Sequence, residues 1–291
     1  MNLRRLRRED FKLELLLGLG KTAQVYLARA PDGTEVALKI PRKEVREDER
    51  LAQMFAQEVR LSMGLKHPHL LRGLAGKPFG EGSFVALEYM PGGTLENRVR
   101  QGALPLLEAL AYLGQLVEAL IYLHGRGIVH QDIKPANVFM HGKVAKLGDF
   151  GVARTQDNPN PFERAGSPFY MAPEIFRGHA ATPASDAYSL GVLAYELLTG
   201  KRPFYGDSYE ALMAAHLTKA PPRLPDNPNL HPKLVQRIQG LLEKNPANRT
   251  TLERLQRSLG GYYTVEVAPK ESKRKARGFR FLEWLQRRKK R

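Results

Sequence analysis

Residues Gly18 to Ala28 read GLGKTAQVYLA, a glycine-rich turn with a lysine and a threonine that admits two phosphate-binding folds. A P-loop requires G-x-x-x-x-G-K-[ST], and with Gly20, Lys21 and Thr22 closing the motif its first glycine falls at position 15, which is Leu15. A P-loop also runs straight into a helix whose N-terminal amides hold the phosphates. Here the following residues alternate in polarity and meet Pro31-Asp32-Gly33, a turn signal, after which Thr34 to Ile40 form a second β-rich run. Strand, glycine turn, strand, Asp-Gly turn, strand describes an antiparallel hairpin sheet, with Gly18 and Gly20 in a β-turn that folds down over a ligand.

The 291 residues, 42% apolar and 26% charged, suffice for one large domain or two lobes with real cores. The absence of cysteine excludes disulfides, thiolate metal sites and a cysteine nucleophile. No uninterrupted apolar stretch reaches the length of a membrane span, and MNLRRLRREDF carries charge without an apolar segment behind it. The expectation is a chain neither exported through an N-terminal signal nor membrane-spanning. The net charge of +16 is uneven, because Lys270–Arg291 hold eleven Lys/Arg against two Glu.

The pattern divides the chain into a basic extension (1–10), a small β-rich lobe with one helix (11–87), a connector (88–94) around Pro91-Gly92-Gly93, a larger mostly helical lobe (95–262) and a basic tail (263–291). A hinge at the connector leaves a cleft between lobes, where ligands tend to bind. In the small lobe, ERLAQMFAQEVRLSM has an apolar stripe of Leu51, Met54, Phe55 and Val59, and Glu58 shares its inward face. An inward carboxylate costs several kcal/mol unless paired. Lys39, at the end of VALK on the sheet this helix covers, is the candidate partner. Taken singly, Glu58 reads equally as a rim residue in water and Lys39 as a strand-edge charge.

Further on stand IVHQDIKPANVFM (128–140) and KLGDFGVAR (146–154). With GLGKTAQV, VALK, EYM, MAPE, DAYSLG and NPANRT in this order, the sequence resembles the eukaryotic-like serine/threonine protein kinases of bacteria, from about Phe11 to Tyr262. Any one motif is weak; the ordered set is specific. The resemblance implies an α+β, two-lobed kinase fold: a small antiparallel sheet lobe with one regulatory helix, and a larger helical lobe. It implies ATP and Mg²⁺ as cofactors and protein Ser/Thr hydroxyls as acceptors.

By match to the family, Lys39 pairs the α- and β-phosphates and is held by Glu58. Asn137 and Asp149 supply oxygen ligands of the kind Mg²⁺ prefers. Asp132 accepts or orients the proton of the substrate hydroxyl, and Lys134 neutralises charge on the moving phosphoryl group. Gly18, Leu19, Gly20 and Ala23 lie in the loop over the phosphates. Leu17, Val25 and Ala37 line the adenine pocket above and Phe139 below, with Leu87 at its back and backbone groups of Glu88 and Met90 at the base edge. For each apolar member, plain core packing is the competing reading. Glu174 is expected to pair with Arg249, and Asp186 to cap the catalytic-loop backbone.

Three departures stand out. The third loop glycine is Ala23, which a negative φ tolerates. Gln131 replaces the arginine that grips an activation-segment phosphate, and it makes no two-pronged charged contact. Between Asp149 and Glu174 the only hydroxyls are those of Thr155, Ser167 and Tyr170, and the middle, QDNPNPFERA, has none. Ser167 takes the place of a threonine whose side chain bonds the catalytic aspartate and lysine. These features predict an enzyme that does not depend on phosphorylation of this segment.

In the tail, Phe281, Leu282, Trp284 and Leu285 cluster on one side of a helix spanning 279–291, among basic residues. Three readings stand: packing or a solvated end, contact of 270–291 with an anionic membrane surface or acidic partner, and, weakest, nucleic acid. The second implies a cytoplasmic protein, peripheral at the inner membrane face. For the whole chain, the alternatives are a nucleotide-binding, non-catalytic adaptor acting through the tail, and a small-molecule phosphotransferase on the same fold. Retention of Asp132, Asn137 and Asp149 counts against the first, and Lys134 with a full activation segment against the second.

Overall fold

The computed structural model describes residues 3–155, 166–260 and 262. The basic tail with its expected helix at 279–291, and the middle of the activation segment, lie outside the described residues. The small lobe is a five-stranded antiparallel sheet in the order β1-β2-β3-β5-β4, built from β1 (Lys12–Leu19), β2 (Ala23–Arg29), β3 (Glu35–Pro41), β4 (Gly73–Lys77) and β5 (Phe84–Glu88). As expected from Leu15 and the Asp-Gly turn, β1, β2 and β3 are joined as successive hairpins.

Two helices, not one, connect β3 to β4: the short α1 (Lys43–Glu47) and α2 (Glu49–Gly64). Five residues are too few to write a periodic signal, which is why the sequence showed only the second. Asp48 caps α2 by accepting the Leu51 amide at 2.8 Å, and this fixes the phase that turns Phe55, Glu58 and Val59 inward. The leucines of β1 are exposed, from 41% at Leu17 to 62% at Leu19, because β1 is the sheet edge and two register shifts break its alternation.

The large lobe contains α3 (Leu95–Val99), α4 (Leu106–His124), β6 (Ile128–Val129), β7 (Val138–His141), β8 (Val144–Leu147), β9 (Arg154–Thr155), α5 (Pro173–Phe176), α6 (Pro183–Thr199), α7 (Tyr209–Thr218), α8 (Pro232–Gly240) and α9 (Leu252–Leu259). Its core is built around α4 and α6, whose buried residues run all the way round the helix in α6. By length and a mean hydropathy of 1.5, α4 could cross a membrane, and its burial in this core accounts for that apolarity. Among the described residues, backbone hydrogen bonds join the lobes in two places. On one strand path Leu71 donates to the Leu147 carbonyl (2.8 Å) and Leu147 to that of His69 (2.9 Å). On the connector Gly92 donates to Met140 (2.9 Å) and Met140 to Gly93 (2.9 Å). A Cβ at Gly92 would lie 2.5 Å from the Met140 carbonyl oxygen, so this close approach requires glycine.

Three histidines are held below their ordinary pKa, in each case chiefly by burial: His67, His69 and His216, the last depressed to about 3 with Lys244 nearby. A folded-state pKa below the unfolded value means that the unfolded chain takes up protons that the native one refuses. Stability is therefore present above pH ~6.5 and is lost as pH falls below it. For His216 alone the loss should reach about 2 kcal/mol over the first ~1.5 pH units. Urea unfolding from pH 7.5 down to pH 5 should show this slope, reduced by about one proton in His216→Gln; equal slopes would refute the assignment.

Candidate active site

Lys39 leaves the sheet between Val25 and Val85, its registered neighbours, and points toward α2. Its Nζ donates to both oxygens of Glu58 at 2.6 and 2.8 Å and lies 3.4 Å from Asp149 Oδ1. Glu58 is 4% exposed, so the ion pair supplies the compensation that the inward carboxylate required. Burial alone would favour a neutral amine at Lys39, but Asp149 and Glu58 outweigh it and hold the ammonium form above its usual range. In turn Lys39, against the opposing effect of burial, keeps the Asp149 carboxyl below the usual carboxylate range. Gln57, one residue before Glu58, donates its side-chain amide to the Ala153 carbonyl and ties α2 to the segment after Asp149.

The loop after β6 brings Asp132, Lys134 and Asn137 together. Asp132 Oδ2 accepts from Lys134 Nζ (2.6 Å) and Asn137 Nδ2 (2.8 Å), and its Oδ1 accepts from the Ser167 amide (3.0 Å). The sequence led to the Ser167 hydroxyl as the bonding group; the bond seen is made by its backbone. Gly166 explains this, since its φ of 100° lets the chain pass so close that a Cβ there would sit 2.4 Å from the Gln131 carbonyl oxygen. Asp149 and Gln131 are themselves left-handed, at φ 65° and 69°, the only such non-glycine residues among those described. Ala23 is therefore not left-handed, and its methyl group is accommodated.

Asp186, fully buried, accepts the His130 amide at 2.8 Å and the Gln131 amide at 2.9 Å, capping the loop as expected. Its third contact, His124 Nε2 at 2.8 Å, was not foreseen. Glu174 and Arg249 meet in a two-pronged pair, both contacts 2.6 Å.

Of the pocket residues, Leu87 and Met90 belong to one buried cluster, with Ala37 and Phe139 packed against it. Leu17 and Val25 stand outside that cluster; Val25 sits in register with Gly18, and the turn is closed by Gly20 donating to the Ala23 carbonyl at 2.9 Å. Leu19 is the most exposed leucine of β1. The Glu88 side chain accepts from Lys146 Nζ with both oxygens at 2.7 Å, joining connector to β8. β8 alternates, burying Ala145 and Leu147 and leaving Lys146 on the opposite, half-buried face in register with Phe139.

The residues fit a nucleotide with a divalent cation. Both hydrogen bonds of Asn137 use its Nδ2, leaving the amide oxygen as the available ligand atom, and the Asp149 side chain is 41% exposed. Among the described residues no group of three or more His, Cys, Asp or Glu is gathered to cage a metal. A pair of oxygen ligands from the protein is the donor set for Mg²⁺ that is also held by phosphates.

Comparison with known proteins agrees with this geometry. A family model described as the protein kinase domain matches residues 11–259. The chain is 35% identical over 252 residues to a relative from Corynebacterium efficiens named serine/threonine-protein kinases drp72, covering 82% of this chain and 48% of that protein. It is 37% identical over 257 residues to serine/threonine-protein kinase PknA of Mycobacterium tuberculosis (82% and 58%). Over 269 residues it is 33% identical to PkaA of Streptomyces coelicolor (86% and 49%). The chain thus spans about half the length of the curated relatives it matches. With its lobes, cleft and family match in agreement, the chain belongs to the protein kinase domain family.

Proposed function

We propose that this chain transfers the γ-phosphoryl group of ATP to serine or threonine hydroxyls of proteins, with Mg²⁺. The observation that carries the reading is the position of Lys39 Nζ, 2.6 Å from Glu58 and 3.4 Å from Asp149. It joins sheet, helix and cleft floor at one cation, where phosphate charge has to be neutralised. Mg²⁺ supplies charge neutralisation on the phosphates when bound, with Asn137 and Asp149 to hold it. Asp132 orients the acceptor hydroxyl and takes its proton, and Lys134 holds the Asp132 carboxylate while offsetting charge on the moving group. The family match and the names of the relatives support this reading. Incubation with γ-labelled ATP, with and without Mg²⁺, followed by phosphoamino-acid analysis of a basic acceptor protein, tests it. Metal-dependent label on serine or threonine is expected. Nucleotide binding without transfer would favour the adaptor reading instead.

Transfer does not require a phosphorylated activation segment on this reading. Gln131 offers no charge for a phosphate, Tyr170 donates its hydroxyl to Glu196 at 2.5 Å and is largely buried, and the Ser167 amide already holds Asp132. Treatment with a phosphatase, checked by mass spectrometry at Thr155 and Ser167, should leave the transfer rate unchanged. A rate that collapses and returns on rephosphorylation would refute this. We also infer that residues 270–291 meet an anionic membrane surface and give the protein a peripheral position on the cytoplasmic side, on the strength of their charge and their Phe281, Leu282, Trp284 and Leu285 stripe.

A further inference from the structure

On the face of the large lobe formed by α8 and α9, away from the catalytic cleft, a cavity of about 660 Å³ is lined by His231, Lys233, Arg237, Arg254, Arg257 and Tyr262, with Leu234 and Ser258 completing its walls. Lys233 and Arg237 stand four apart on α8, and Arg254 and Arg257 three apart on α9, so each pair shares a helix face. Among the described residues none of these four side chains makes an ion pair or a hydrogen bond, and no carboxylate lines the cavity. Like charges at such spacings repel and destabilise their helices. Elsewhere in the molecule Arg29, Arg98 and Arg249 are matched with glutamates. Four unmatched cations around one hollow are the arrangement of an anion site. Tyr262 anchors its wall, accepting the His231 amide at 2.9 Å.

We propose that this cavity receives the phosphate headgroups of an anionic membrane. Charge complementarity selects the ligand class, and the chain that follows Tyr262 selects the source, because its net positive charge excludes it as the occupant and suits it to the same surface. The inference shares its partner class with the tail reading, and the cavity itself is built from described residues alone.

The test uses the full chain in co-sedimentation with phosphatidylcholine vesicles, with and without phosphatidylglycerol. The double variant Arg254→Glu/Arg257→Glu is compared with Lys219→Glu/Arg223→Glu, an equal change of charge on exposed residues of the same lobe. The cavity variant should lose at least about tenfold in partition to anionic vesicles, and the control much less. A neutral pair, Arg254→Gln/Arg257→Gln, checked by circular dichroism, should show the same order should the reversed pair fold poorly. Equal losses in cavity and control variants would overturn the proposal, as would wild-type protein that ignores phosphatidylglycerol. Binding of inorganic pyrophosphate to wild type but not to the cavity variant, without vesicle binding, would overturn the lipid as source. Transfer to a soluble peptide, measured on the same preparations, should be unchanged, which separates failure here from failure of the catalytic reading.

Discussion

Asp132→Asn is expected to lower the rate of phosphoryl transfer by about 10² to 10⁴ while leaving nucleotide affinity near its wild-type value. The reason lies in what surrounds the carboxylate. Lys134, Asn137 and the Ser167 amide all donate to it, so it is fixed in place, and in the proposed reaction its charge draws the proton from an approaching hydroxyl. Asparagine keeps the shape but has no charge, and its NH₂ must face one of these donors. The loss should therefore fall on kcat, with KM for ATP little changed, because Lys39 and Asp149 are untouched. A kcat within tenfold of wild type would refute the role assigned to Asp132.

Arg249→Ala should cost about 3–5 kcal/mol of stability, lowering the melting temperature by roughly 10 °C. All five guanidinium donors of Arg249 are used: two on Glu174, and one each on the carbonyls of Ala184, Glu243 and Lys244. Removing it leaves Glu174 buried with no cation on its charge, which keeps the Ser185 hydroxyl at 2.8 Å and a backbone amide. The cost comes from that stranded carboxylate more than from the lost bond, so Glu174→Leu combined with Arg249→Met should cost less than the two single changes added together. A single-variant cost below ~1 kcal/mol, or strict additivity in the pair, would show that water reaches the site.

Much of this architecture was legible in sequence because the decisive residues are close along the chain. Leu15 excluded the P-loop, and Asp132, Lys134 and Asn137 lie within six positions, so their meeting follows from one turn of backbone. Glu58 was half legible, since helical phase put it on the apolar stripe while a place at the rim stayed equally open until the ordered motifs pointed to Lys39. What stayed hidden depends on tertiary context. Periodicity gives an apolar strand for β1 but cannot say that this strand is the sheet edge with its leucines in water. His124 reaches Asp186 across 62 positions, and no local pattern announces the pair. The amide of Ser167 took over the contact expected of its hydroxyl because Gly166 sets the path of the backbone, which side-chain identity does not encode.

The two places where the lobes are stitched together, His69 to Leu71 against Leu147 and Gly92 to Gly93 against Met140, act as bearings. Two backbone contacts define a line about which the small lobe turns most readily, against the side-chain ties of Gln57 to Ala153 and Lys39 to Asp149. The strands nearest that axis are β4 and β5, and β1 lies three strands away from β5, about 14 Å at the usual strand spacing. A rotation of about 10° would thus carry the turn at Gly20 through about 2.5 Å while Leu87 barely moves. The suspension is a lever, with the back of the pocket as fulcrum and the glycine turn as the end that travels.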